Sequence, residues 1–280
     1  MELPSYAAIR AFVYPNLSGA RSPIFHTIVV KHFELSECPC CAGLAGSDLM
    51  TTAPVSPKPD PYELPDVTHV TVSVLGGTGE QGRGLALRFA RAGHEVVIGS
   101  RSAERAQEAA ESLGDRVTGA SNEEAARAGD VVIVAVPWDG HKELLESLAE
   151  PLSGKIVVDC VNPLGFDKQG AFALAVDEGS AAQQAAAVLP DSRVVAAFHH
   201  ISAVLLLDET VDSIDTDVVV LGDDREATDT VQSLAGRIPG IRGVYGGRLR
   251  NAGQVEAWTA NLISMNRRYK SHAGVRITDV

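Results

Sequence analysis

The sequence predicts an α/β protein built on a doubly wound parallel sheet. Three observations carry this. Val- and Ile-rich runs alternate with helical patterns from residue 69 to 161, the links between them are short, and a glycine-rich turn joins the first run to the first helix. Near-continuous apolar runs, rather than strict alternation, mark strands covered on both faces.

The elements follow in order. HVTVSVL (69–75) is a buried-type strand, and Gln81 to Ala92 has helical periodicity. HEVVIGS (94–100) is the second strand, followed by a helix from Ala103 to Leu113 that Ser102 caps. Ser121 and Glu124 form a capping box for a short helix ending before Gly129. DVVIVAV (130–136) is the third strand, stopped by Pro137, with a helix from His141 to Glu150 after it. KIVVDCV (155–161) is the fourth strand, in which Cys160 reads as a small core residue.

Beyond Asn162 the signal thins. It still predicts a helix over 180–189, strands over 193–198 and 217–222, a helix capped by Asp223 or Asp224 that runs to Arg237, and a last helix from Ala252 to Arg268. No internal repeat is present, and no second core is large enough for an independent domain.

Composition narrows the function. The 280 residues are 45% hydrophobic, 21% charged and only 5% aromatic, with a net charge of −12. An acidic surface repels nucleic acid and anionic membrane, and no apolar run approaches the roughly 20 residues a spanning helix needs. Cys38, Cys40 and Cys41 form a C-x-C-C run without the paired spacing of a zinc site. They read as free thiols of a reducing cytoplasm, and no metal is expected.

Residues 1–49 form an irregular N-terminal segment without sustained periodicity, and Met50 reads as the natural start. Residues 50–67, rich in Pro and Thr, form a flexible linker, and 68–280 form the folded domain.

The first turn carries the chemistry. Gly77-x-Gly79-x-x-Gly82 lies directly after a strand and directly before a helix, the context of a Rossmann-type dinucleotide site. Gly77 permits the tight turn, Gly79 lets the backbone approach a pyrophosphate, and Gly82 lets the helix pack against its strand. The helix start offers unpaired N–H groups to the anion, and Thr78 adds a hydroxyl. The second strand then ends Gly99-Ser100-Arg101-Ser102, where NAD enzymes usually place a carboxylate for the ribose. Ser100 and Arg101, with Arg105 one turn on, suit the 2′-phosphate of NADP instead.

LGGTGEQGRGLALRFARAGHEVVIGSR, VPW (136–138), VVAAFHHISA (194–203), GDDREATDTV (222–231) and NAGQVEAWTANLISMNRRYKSHAGVRI together resemble the NADPH-dependent coenzyme F420 reductases, or F420H2:NADP oxidoreductases. The likeness spans residues 66–280. It implies hydride transfer between nicotinamide C4 of NADP(H) and C5 of the deazaflavin F420, in a homodimer, with a small C-terminal extension building the F420 site.

By position, Thr78, Gly79, Glu80 and Gln81 line the pyrophosphate turn, and Ser100, Arg101 and Arg105 hold the 2′-phosphate. Pro137, Trp138 and Ala203 flank the nicotinamide half, while His199 and Ile201 border the deazaflavin ring. Ser202 departs from the Pro of archaeal members, and His200 replaces a smaller polar residue.

No acid–base constellation is expected, because hydride transfer between stacked rings needs juxtaposition and exclusion of water. His199 and His200 read equally well as strand-end histidines satisfied by backbone, and Trp138 as simple packing. Arg267, Arg268, Lys270 and Arg276 form the densest cationic stretch, a candidate contact for the anionic F420 tail or else a solvated terminus. The competing readings are an NADP-dependent imine or keto reductase, whose helical C-terminal domain has little sequence left to form it, and a non-catalytic NADP(H)-sensing module.

Overall fold

A computed structural model of the chain describes residues 63–280. The expectations for residues 1–49, for Met50 and for Cys38, Cys40 and Cys41 lie outside them. The described residues belong to one compact unit.

Strand β1 (Val72–Leu75) has all four residues buried and leads through the glycine turn into α1 (Glu80–Arg91). Then come β2 (Val96–Ser100), α2 (Ala103–Glu111), β3 (Val117–Ser121), α3 (Asn122–Ala128) and β4 (Val131–Val134). Helices α4 (His141–Ser147) and α5 (Ala149–Leu152) precede β5 (Ile156–Asp159). An antiparallel hairpin of β6 (Leu164–Asp167) and β7 (Gly170–Ala173) follows, then α6 (Ala181–Val188), β8 (Arg193–Ala196) and α7 (Ala203–Leu207). The chain closes with β9 (Thr216–Gly222), α8 (Arg225–Gly236), β10 (Ile241–Gly247) and α9 (Ala252–Tyr269).

The main sheet has the order β10-β9-β8-β5-β4-β1-β2-β3. Val72 registers with Val96 on one side and Val131 on the other, and the pairing is parallel from β8 across to β3. One joint departs from the expected parallel sheet. β9 meets β8 antiparallel, through Val195 opposite Gly222, and β10 continues parallel to β9.

Two cores fill the faces. Leu85 and Phe89 of α1, Ala106 of α2 and Leu234 of α8 cover one side. Ala125 of α3, Leu145 of α4, Leu152 of α5, Ala185 of α6 and Ala252 of α9 cover the other. Each wholly buried Leu or Phe contributes about 1.5–3 kcal/mol against leaving it in water.

The helix ends follow the sequence closely. The Ser102 hydroxyl accepts the Arg105 N–H at 3.3 Å, and Ser121 and Glu124 form the capping box. Of the two candidates before α8, Asp224 is the cap, accepting the Ala227 N–H at 2.8 Å. The helix expected over His141–Glu150 breaks at Leu148 into α4 and α5. Pro151 has no N–H to bond the Ser147 carbonyl, so one continuous helix loses a rung there. Cys160 is buried just past β5, its thiol donating to the Val134 carbonyl at 3.1 Å.

Candidate cofactor and substrate site

The strand order reverses between β1 and β4, and the crevice outside their carboxyl ends is where such sheets bind ligands. The glycine turn fills the β1 side of that crevice. Its left-handed residue is Gly76, with φ +73°, and a Cβ there would sit 2.5 Å from the Ala135 carbonyl oxygen. The tight turn expected of Gly77 therefore belongs to Gly76. Gly77 is required because a Cβ would lie 2.5 Å from Ile98 Cβ of β2.

Gly82 packs on the turn itself: a Cβ there would fall 2.8 Å from the Gly76 oxygen, so its smallness serves the turn and not the strand as expected. Gly79 is the open one: a Cβ there meets only the Gly76 oxygen, at 3.5 Å. Gly79 is also the N-cap of α1 and offers no side chain, so the first-turn N–H groups face the crevice without an internal cap.

A cleft of about 620 Å³ opens in front of that helix end. Thr78, Gly79, Ser100, Arg101, Arg105 and Pro137 all line it, so six of the residues singled out by sequence share one wall. Arg101 and Arg105 are exposed on its rim and make no ion pair among the described residues. Glu104, between them in sequence, accepts the Ser102 hydroxyl at 2.7 Å.

Asn122, Val136, Asp139 and Leu144 also line the cleft and were not anticipated. Asn122 opens α3, and its Oδ1 is buried without a hydrogen-bond partner.

The remaining predicted residues are not in its lining. Glu80 is exposed at the start of α1. Gln81 donates from Nε2 to the Phe198 carbonyl at 3.3 Å, which ties the glycine turn to the segment after β8. Phe198 itself has φ +64°, a left-handed backbone that a bulky residue adopts only under constraint. Its ring packs edge-on against Phe89, with centroids 5.9 Å apart, and this wedge turns the chain so that residues 199–203 run back toward α1.

Ala203 is half-buried at the start of α7, and Ile201 is buried. α7 lies against α1, where the buried Arg88 guanidinium donates to the carbonyls of Leu205, Leu206, Asp208 and Val211 at 2.6–2.8 Å. Trp138 is half-buried, its ring 5.5 Å from that of His141.

His199 is turned inward, with its side chain 0% exposed. Its carbonyl accepts from Asn162 Nδ2 at 2.9 Å and Thr259 Oγ1 at 3.3 Å. Burial pushes its pKa down to about 4. His200 is also buried, with Nε2 donating to the Asp217 carbonyl at 2.7 Å, so backbone pairs one ring nitrogen of the second histidine, leaving Nδ1 without a partner, and neither nitrogen of the first. The cationic stretch divides too. Arg276 is held by Asp215 and Asp217, whereas Arg267, Arg268 and Lys270 stay exposed.

A family model described as NADP oxidoreductase, coenzyme F420-dependent, matches residues 71–163, from β1 to just past β5. The F420-dependent NADP reductase of Methanothermobacter marburgensis is 42% identical over 221 residues, covering 75% of this chain and 98% of that one. The enzyme of the same name from Methanocaldococcus jannaschii is 39% identical over 222 residues, again covering 75% and 98%. A crystal structure of an Arthrobacter protein assigned to the F420-dependent NADP reductases superposes with a TM-score of 0.66 at 25% identity, covering 75% of this chain and 99% of that one. The glycine turn, the cleft in front of α1 and relatives matched over nearly their whole length lead to one placement: this chain belongs to the F420-dependent NADP reductase family.

Proposed function

We propose that this protein is an NADPH-dependent F420 reductase, passing a hydride between C4 of the NADP(H) nicotinamide and C5 of F420. The likeness over nearly the full length of reductases with that name carries the reading. Written out, NADPH, F420 and one proton give NADP⁺ and reduced F420.

The residues present fit the cofactor. An uncapped helix start, an open Gly79 and two unpaired arginines on one cleft suit a dinucleotide with an extra phosphate. In this reading Thr78, Gly79, Glu80 and Gln81 hold the pyrophosphate, Gly77 and Gly82 shape the turn, and Ser100, Arg101 and Arg105 bind the 2′-phosphate. Pro137, Trp138 and Ala203 border the nicotinamide. His199 and Ile201 border F420 through their backbone, since their side chains point inward. No side chain forms a bond to the transferred hydride; the protein orients two rings and keeps water out.

We further read the protein as a cytoplasmic homodimer whose folded domain is 68–280. No described helix is long and apolar enough to cross a membrane. Phe166, Phe172 and Leu174 of the hairpin region and Trp258 of α9 are exposed side chains of the kind an interface covers. Light scattering of the purified protein reports the subunit number.

The test of function is spectrophotometric. The full chain with NADPH should bleach F420 rapidly, NADH should act far more slowly, and FMN serves as the alternative acceptor. Intact NADPH binding with no F420 turnover would overturn the assignment and favour a sensor or another reductase.

A further inference from the structure

His141, the first residue of α4, is wholly buried, and both of its ring nitrogens face acceptors. Nε2 lies 2.6 Å from Asp159 Oδ2, and Nδ1 lies 3.1 Å from Gln184 Oε1. The Gln184 amide is not free to turn its NH2 toward the ring, because Nε2 donates to Glu178 Oε2 at 3.2 Å. Glu178 in turn pairs with Lys142 Nζ at 3.9 Å. A neutral imidazole has one N–H and satisfies one acceptor; two acceptors call for two N–H groups, and so for an imidazolium. Burial works against that charge, but the Asp159 hydrogen bond and charge, the Gln184 bond and the charge of Glu256 outweigh it, raising the pKa from 6.5.

Two contacts tie this ring to the cofactor cleft. The His141 N–H donates to the Trp138 carbonyl at 3.1 Å, closing a turn over the left-handed Gly140. The Trp138 ring lies 5.5 Å from the imidazole at a tilt of 31°. A cation within about 6 Å of an indole centroid is attracted to its face. Pro137, Asp139 and Gly140, on either side of Trp138, line the cleft. Loss of the proton undoes the arrangement. With its one N–H kept for Asp159, the Nδ1 lone pair would face the Gln184 oxygen, and ring and amide would repel.

We propose that His141 is a positioning residue: clamped as an imidazolium between Asp159 and Gln184, it holds Trp138 and the cleft wall 136–140 where they orient the nicotinamide. The inference rests on the reading above in which Pro137 and Trp138 border that ring. His141 acts through Trp138 and transfers no proton. A raised folded pKa means that the clamp holds on the acid side of that value and opens as pH rises through it. Glu256 of α9, raised by burial to about 7, gains charge over the same range and favours the imidazolium. Two more titratable groups lie beside Asp159. Burial pushes the Cys160 thiol up and His199 down to about 4, so both are neutral there.

The test reads Trp138 directly in the full chain. The sequence has two tryptophans, so Trp258→Phe leaves Trp138 as the one indole. An imidazolium quenches a stacked indole more than a neutral imidazole does. Trp138 emission, with no ligand present, should therefore rise across one titration with a midpoint above 6.5. Adding Gln184→Met removes the Nδ1 acceptor and should move that midpoint down, whereas adding Glu256→Gln should keep an inflection. Emission of bound NADPH, without F420, should change across the same midpoint. With F420 present, kcat should fall by up to about 100-fold across it while KM for NADPH holds. Trp138 emission that is flat from about pH 6 to about pH 10, or an inflection lost in Glu256→Gln, overturns the proposal. So does NADPH emission or kcat that ignores the Trp138 midpoint. Trp138 and NADPH midpoints that move together in Gln184→Met, with no F420 turnover at all, leave the clamp standing and sink the functional reading.

Discussion

The imidazole of His141 is clamped between two side chains, with Nε2 2.6 Å from Asp159 Oδ2 and Nδ1 3.1 Å from Gln184 Oε1. Neither His141 nor Asp159 has any exposed side-chain surface. Trp138 lies over the same ring at a tilt of 31°, so the clamp fixes the floor beneath a residue proposed to border the nicotinamide. Burial works against the charged imidazole, but the hydrogen bond and charge of Asp159 outweigh it and the His141 pKa is raised from 6.5. A raised folded pKa means the stabilisation is complete below the unfolded value and is lost as pH rises through the folded one. Asp159→Asn should therefore cost about 3–5 kcal/mol in urea unfolding near pH 6 and less near pH 9. An equal loss at both would show that His141 carries no charge.

The rim arginine gives a selectivity prediction. Arg101→Ala removes the charge-assisted contact proposed for the 2′-phosphate, worth about 1.5–3 kcal/mol, or roughly 10- to 150-fold in KM for NADPH. KM for NADH should hardly change. Parallel losses for both nucleotides would place Arg101 at the pyrophosphate or in the fold instead.

Arg88 holds the end of α7 through four carbonyls. Arg88→Met keeps the stem but strands acceptors that the fold has withdrawn from water, at about 1–3 kcal/mol for each one left unpaired. Thermal melting should fall by several degrees or more, and Arg88→Lys should recover part of it. A melt unchanged in Arg88→Met would mean that water replaces the guanidinium.

Asp217 anchors the C-terminal tail. Its buried carboxylate accepts Arg242 Nε at 2.8 Å, Arg276 at 2.6 Å and the Ile277 N–H at 2.6 Å. The Arg242 hydrogen bond leads in holding its pKa well below the usual 3.8. A depressed folded pKa gives stability that is present above the unfolded value and lost as pH falls. Asp217→Asn should cost about 3 kcal/mol near neutrality, and the gap from the native protein should narrow below about pH 3.8. Limited proteolysis should clip the variant's tail first.

The elements the sequence revealed and those it hid differ for a physical reason. β1, β4 and β5 lie in the middle of the sheet, where both faces need apolar side chains, so Val and Ile dominate the runs. β3 and β10 are the two edges, and both carry glycine where a helix crosses. A Cβ on Gly119 would fall 2.2 Å from the backbone of Ala106 in α2, and one on Gly243 would fall 2.4 Å from Gln232 Cα in α8. The close crossings that complete the fold thus erase the strand pattern that would announce it.

The hairpin was hidden because its turn rests on one side chain, Asp167, accepting two N–H groups. At the site, the glycine turn and Ser100–Arg101 were legible because each is local in sequence. Asn122 was not, since nothing near it in the chain marks it as part of the cleft.

The left-handed backbone at Phe198 bears on how the site meets its ligands. Glycine would adopt that turn at no steric cost, yet the position is filled by a ring that the core grips against Phe89. The segment 199–203 is consequently set by folding rather than by occupancy. In the function proposed, where this segment borders F420, its ordering entropy is spent before any substrate arrives, and binding energy remains for bringing the two rings together.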